Sequence, residues 1–185
     1  QKFQTSSGFK SFYSLDLPII SDTNTLKNYY NYSYFFNLFD KNVSSMSFYM
    51  ETANSLNNKD IKLSERIKIP SSKLRGFERG RVGPKDGKDY IGGNYATAIN
   101  LEANFPNFFP EKSNAEIGLF LDAGNVWGVD YSDNIDDSNK LRSTVGLNTS
   151  WISPAGPMSF IFSKNITKAS TDVDQSFNFR LGTTF

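Results

Sequence analysis

Neither cysteine nor histidine occurs in the 185 residues. The first absence removes disulfides, thiolate catalysis and cysteine-based metal sites. The second removes the commonest general base and metal ligand. Charge of one sign is equally scarce: 20 Lys and Arg stand against 19 Asp and Glu, a net charge of +1, so no strong field argues for nucleic acid. No run approaches the ~20 apolar residues that a membrane-spanning helix needs. No Gly-x-Ser-x-Gly occurs, and without histidine no Ser–His pair can form, so no enzyme and no cofactor are predicted. The acidic run 133–137 lacks the glycine and closing glutamate of a calcium loop, and Gly92-Gly93 precedes no helical pattern that would make it a phosphate cradle. No metal site is predicted.

What is abundant is aromatic: 17 Phe and 9 Tyr, within a chain whose hydrophobic share is only 38%. A polar average with many aromatics is what alternation produces when one strand face meets lipid and the other meets water. A soluble β-sandwich with an aromatic core is the alternative. The period is two almost throughout. In 115–127, Ala115, Ile117, Leu119, Leu121 and Ala123 take one face, and Glu116, Gly118, Asp122 and Gly124 the other. In 91–105, Ile91, Tyr95, Ile99, Leu101 and Phe105 alternate with Asn94, Asn100, Glu102 and Asn104. At the end of the chain, Phe177, Phe179, Leu181 and Phe185 alternate with Asn178, Arg180 and Thr184. Segments 8–18, 26–39, 43–55, 140–152 and 156–165 follow the same rule, which makes eight predicted strands. Most are long enough to span a bilayer at a tilt, for which roughly 9–11 residues suffice, whereas soluble strands peak near 5–6. The prediction is an all-β, antiparallel transmembrane barrel segment, with Trp127 and Trp151 as anchors at the membrane interfaces.

The connections differ in kind. Polar stretches after Asp130 and over 167–175 read as long loops on one rim, and Ser153-Pro154-Ala155-Gly156-Pro157 reads as a tight turn on the other, together with the 106–114 link. Long loops on one rim and short turns on the other are the outer-membrane pattern, which places Phe185 on the periplasmic side. Residues 56–90 form a connection far longer than a hairpin needs. From Lys59 to Asp89 it holds ten Lys or Arg against five Asp or Glu. Glu102 and Asp122 point to the polar interior by alternation, and a cationic loop folded inward would find partners there. Arginine suits that role because its planar fork grips carboxylates bidentately and keeps its proton. Gly76 permits a close backbone approach, and Phe77 can pack among inward side chains. A solvated surface loop is the plainer reading.

Several stretches resemble, in order and spacing, the outer-membrane protein assembly factors, the BamA-like family. They are Leu74-Arg75-Gly76-Phe77, Val82-Gly83-Pro84-Lys85-Asp86, Gly92-Gly93-Asn94, Leu101-Glu102, Phe120 through Trp127, Arg142 through Gly146, Trp151 through Pro157, and Phe177 through Phe185. The likeness runs from about residue 66 to the end, while residues 1–65 match only in strand pattern. Leu74 stands where many members carry valine. The resemblance implies a sixteen-stranded barrel preceded by periplasmic POTRA domains, with these eight strands as the last eight and 56–90 as the loop folded into the lumen. It implies that Arg75 contacts Glu102 and Asp122, and that the terminal strand, about 175–185, lines a seam that opens toward lipid. It further implies assembly of β-barrel proteins in the outer membrane, with unfolded outer-membrane proteins as clients, accessory lipoproteins reached through the POTRA domains, and contact with membrane lipid. Two-partner secretion or TamA-like translocation barrels of the same superfamily are the alternatives, with a passive porin behind them. A chain opening on Gln1 without a signal peptide is expected to be part of a longer precursor.

Overall fold

The computed structural model describes residues 7–19, 24–39, 42–105, 108, 115–135, 139–153 and 156–182. Phe185 and Thr184, the turn centre at Pro154 and Ala155, most of the 106–114 link, and Asp136 and Asp137 lie outside the described residues. The strands, in chain order, are β1 (Gly8–Asp16), β2 (Thr25–Phe36), β3 (Val43–Ser55), β4 (Lys85–Asp86), β5 (Asp89–Tyr90), β6 (Tyr95–Phe105), β7 (Ala115–Trp127), β8 (Arg142–Ser153), β9 (Gly156–Thr167) and β10 (Phe177–Leu181). Eight of them form one antiparallel sheet in the order β1-β2-β3-β6-β7-β8-β9-β10, and β4-β5 is a small separate hairpin. Each main strand therefore pairs with its neighbour in sequence, and only the long connection 56–94 interrupts the meander. Among the described residues β1 and β10 are the two edges and do not pair with each other, so the sheet is open.

Alternation sorts the two faces. On one lie Leu101, Leu119, Leu121, Val145, Leu147, Phe162, Phe177 and Phe179, all exposed. Such a continuous apolar surface fits a hydrocarbon solvent better than water. Cross-strand pairs knit it together: Leu121 stands opposite both Leu101 and Val145. The Phe160 and Phe179 rings lie 5.2 Å apart, and those of Phe162 and Phe177 5.1 Å apart. Trp127 and Trp151 share this face at opposite ends of their strands, Trp127 next to the long-loop rim and Trp151 next to the short-turn rim.

The other face is covered by the long connection. Ile61, Ile67, Ile69, Leu74, Phe77 and Val82 of that connection are buried against Tyr49 and Ala53 of β3, Ala96 and Ala98 of β6, and Val126 of β7. The inner face is consequently part polar and part apolar. Phe120 and Val126, on the polar parity of β7, are buried because the connection lies over them.

Two sequence expectations need correction. The strand drawn over 91–105 begins only at Tyr95. Ile91 is buried within the connection rather than facing outward. Gly92 adopts φ +75°, and Gly93 exchanges two backbone hydrogen bonds with Ile67, at 2.8 and 2.9 Å, so the chain turns there to dock the loop. A Cβ on Gly93 would meet the Trp127 carbonyl oxygen at 2.3 Å, which explains the glycine. The terminal strand drawn over 175–185 begins only at Phe177 and runs to Leu181, with residues 183–185 outside the described residues.

Assigning Leu121 to a lipid-facing position has a direct consequence. In the full-length protein reconstituted in a bilayer, Leu121→Arg should lower the unfolding free energy by about 2–4 kcal/mol, as a cation at mid-depth on a barrel's outer face does. A loss below roughly 1 kcal/mol would place this face away from the hydrocarbon core.

Candidate functional site: an arginine gripped inside the sheet

Pro70 starts the turn that brings the motif inward: its carbonyl accepts from the amides of Lys73 and Leu74 at 2.9 and 3.2 Å. Leu74 is buried in the apolar cluster, and Arg75 next to it reaches the sheet. Its Nε donates to Asp122 Oδ2 at 2.7 Å and its Nη2 to Asp122 Oδ1 at 2.7 Å. The Arg75 amide adds a third bond to Asp122 Oδ2 at 3.0 Å. Nη1 donates to Glu102 Oε2 at 2.7 Å. The guanidinium also lies 3.7 Å from the centre of the Phe120 ring, a cation–π contact that holds it flat. Asp122 is wholly buried, and Glu102 is one-fifth exposed.

The grip extends across the sheet. Glu102 on β6 accepts from Asn148 Nδ2 of β8 at 3.2 Å, and Asn148 Oδ1 accepts from Ser159 of β9 at 3.3 Å. Burial alone would disfavour the charge on Arg75. The hydrogen bonds and charge of Asp122, with those of Glu102, outweigh it and raise the pKa above the ordinary arginine value. Nearby, Lys73 donates to Asn31 and lies 5.7 Å from the Tyr49 ring centre. Burial lowers its pKa, against the opposing charge of Asp122.

Gly76 follows at φ +87°, a region that favours glycine. A Cβ there would lie 2.5 Å from Asn165 Oδ1 and 2.6 Å from Thr144 Oγ1, so the backbone lies directly against β8 and β9. Phe77 is buried and forms an antiparallel bridge with Asp174. The structure thus brings Arg75, Gly76, Phe77, Glu102 and Asp122 together. It places Phe177, Phe179 and Leu181 apart from them, on the outer face of the edge strand β10.

Among the further ion pairs of the described residues, sequence reasoning missed two in which the arginine is buried. Arg142, on the inner face of β8, is wholly buried with Asp172, its Nε and Nη2 donating to the carboxylate at 2.9 and 3.0 Å. An arginine at an inward position was the available signal, because a buried guanidinium needs a carboxylate. Arg66 pairs with Asp130 and donates to Asn94 Oδ1 at 3.0 Å. Burial would raise the pKa of Asp130, but the Ile61 amide and Arg66 together hold it below the ordinary 3.8.

An open sheet of long strands, apolar on one face and covered on the other by a cationic loop held by Asp122 and Glu102, defines a partial membrane β-barrel. The comparisons agree with that class. Residues 2–185 match the family described as the Omp85 superfamily domain, and the chain belongs to that superfamily. It is 34% identical over 141 residues to the outer membrane protein assembly factor BamA of Neisseria meningitidis, covering 60% of this chain and 17% of that protein. It is 28% identical over 135 residues to a SAM50-like protein of Schizosaccharomyces pombe, covering 70% of this chain and 28% of that protein. The crystal structure of BamA from Haemophilus ducreyi lacking POTRA domains 1–3 superposes with a TM-score of 0.82 at 26% identity, over 97% of this chain and 39% of that one. The chain therefore spans well under half the length of these relatives, and it is an outer-membrane protein.

Two predictions follow from the geometry. Arg75→Lys keeps the charge but loses the fork, and Gly76→Ala adds a methyl into side chains at a positive φ; each should lower barrel stability by about 1–3 kcal/mol in denaturant titration. Wild-type midpoints in both variants would remove the site from the stability account. The second prediction concerns pH. The folded pKa of Asp130 is depressed, so its link to Arg66 stabilises fully above the ordinary 3.8 and is lost as pH falls through the lower folded value. Asp130→Asn should flatten the acid limb of the stability curve, and an unchanged limb would assign acid sensitivity to other groups.

Proposed function

We propose that these residues form the last eight strands of a sixteen-stranded barrel that assembles β-barrel proteins in the outer membrane. The observation that carries the reading is the fork of Arg75 on Asp122 and Glu102 beneath an inward loop, in a chain similar to BamA proteins over most of its length. In this reading the motif locks the loop within the lumen, and Trp127 and Trp151 anchor the barrel at the two interfaces. The long-loop rim faces outward and the short-turn rim faces the periplasm. POTRA domains ahead of this segment would receive unfolded outer-membrane proteins and accessory lipoproteins.

The work ascribed to the barrel is mechanical and involves no bond chemistry. A sheet edge presents unpaired backbone groups that template another strand. Strand β10, an edge in this sheet, would lend its backbone to a client strand by β-augmentation when the seam to the first barrel strand opens. The inward loop and its buried apolar cluster favour this reading over passive conduction, since they occupy the face that a porin leaves to water.

Replacing the chromosomal copy with full-length protein carrying Arg75→Ala or Asp122→Arg tests the proposal. Removing one partner of a buried pair costs about 3–5 kcal/mol. Both variants should deplete several unrelated outer-membrane barrels and cause their unfolded precursors to accumulate in the periplasm. Normal levels of those barrels with either variant as sole copy would overturn the reading, and loss of a single secreted protein instead would point to a translocation barrel.

A further inference from the structure

The Arg75 site leaves a wholly buried pair unused: Arg142 and Asp172, with the backbone of 168–176, the connection that leads into β10. Asp172 accepts from Arg142 through both oxygens, from the Ala169 amide at 2.7 Å, and from the Gly83 amide of the long connection at 3.4 Å. Arg142 Nη1 donates to Asn125 Oδ1 at 2.5 Å and to the Lys140 carbonyl at 2.8 Å. Both side chains are wholly buried. The pair therefore holds three things at one point: the inner wall, the long connection and the segment ahead of the last strand.

The neighbouring backbone is laced to the arginine motif itself. The Gln175 amide donates to the Gly76 carbonyl at 2.9 Å, the Glu78 amide to the Val173 carbonyl at 2.9 Å, and the Val173 amide to the Arg81 carbonyl at 3.2 Å. Asn165 on β9 bonds the Gly76 carbonyl at 3.0 Å and Asp174 at 2.8 Å, tying motif and segment to the same strand. Strand β10 pairs with β9 through only five residues, and its other edge has no strand beside it among the described residues. The upstream end of β10 is thus held from two sides: by β9, where the Ser163 amide donates to the Ser176 carbonyl at 2.8 Å and its hydroxyl to the Gln175 carbonyl at 3.2 Å, and by the inward loop, which alone among the described residues holds 173 and 174 by backbone pairing.

We infer that 168–176 is a clasp in which Arg142 and Asp172 are positioning residues, and that through it the seating of Arg75 sets how firmly β10 is held. Arg75 fixes the position of Gly76 through Phe77, and these residues form the ladder that 173–175 pairs with. Two sites joined through one shared element influence each other equally in both directions. This inference depends only on how β10 is held, so it stands or falls separately from the assembly reading.

Hydrogen exchange on the full-length protein in lipid tests it, using Arg75→Ala, Asp172→Asn and the double variant. Each single substitution should speed amide exchange at 173–181 by about tenfold or more, a size typical of coupled neighbours. Asp172→Asn should also speed exchange at 76–83 while leaving the β2–β3 pair unchanged. The double variant should exchange no faster than the faster single one. Multiplying effects, or an Arg75→Ala protein with unchanged exchange at 173–181, would overturn the clasp. A second measurement avoids the Arg75 variants, should they fail to fold. The bonds flanking Phe77 and Asp174 make them a non-hydrogen-bonded pair, whose Cα atoms are typically about 4.5 Å apart, within disulfide reach. Phe77→Cys with Asp174→Cys in the Asp172→Asn background should regain protection at 177–181 when oxidised and lose it when reduced. Equal exchange in the two redox states would contradict the inference. Assembly assays play no part in the outcome, so a failed clasp and a failed assembly reading give different results.

Discussion

The inner architecture depends on one buried guanidinium. Arg75 enters the sheet's covered face on a loop, and a charge buried there is tolerated only because Asp122 and Glu102 are already in place, held by the strands on either side. Two guanidinium bonds to Asp122, one to Glu102 and the Phe120 ring beneath leave the group little freedom, and the Arg75 amide adds a further bond to Asp122. Once Arg75 is seated, the positions of Leu74, Gly76 and Phe77 are fixed, and through them the position of the loop.

The rest of the loop uses cheaper forces. Its isoleucines, leucine and phenylalanine form an apolar cluster with inward residues of β3, β6 and β7, and each fully buried side chain contributes roughly 1.5–3 kcal/mol. The two kinds of interaction divide the work: apolar contact holds the loop to the wall, whereas the ion pair gives it one register. Apolar packing alone would allow the loop to slide, but a bidentate pair admits a single geometry. Glycines complete the seating where the loop backbone comes closest to the wall, at Gly76 against side chains of β8 and β9 and at Gly93 against the Trp127 backbone.

Much of this was legible in the sequence because a bilayer imposes a strict period of two. Leu119, Leu121 and Phe177 declare an outward face, and the same parity turns Glu102 and Asp122 inward. The strands lie where the alternation put them, but their ends do not. Ile91 keeps the parity of β6 while belonging to the loop, because the chain turns at Gly92 and Gly93 and the strand starts four residues later than hydropathy suggests. Asp172 was illegible for a different reason. It sits in a polar connection without periodicity, and only the inward parity of Arg142 implied that some carboxylate must come to meet it. Phe120 and Val126 look misplaced on a polar face until the loop that covers them is known.

The central claim is that Arg75 and Asp122 interact directly inside the folded barrel. A double-mutant cycle on the full-length protein in lipid, using Arg75→Ala, Asp122→Ala and the pair together, measures that interaction through unfolding free energies. A coupling of about 1.5–3 kcal/mol is expected, as for contacting members of one charged network. Additive losses, agreeing within roughly 0.3–0.5 kcal/mol, would mean that the two side chains do not meet and that the loop is held by something else.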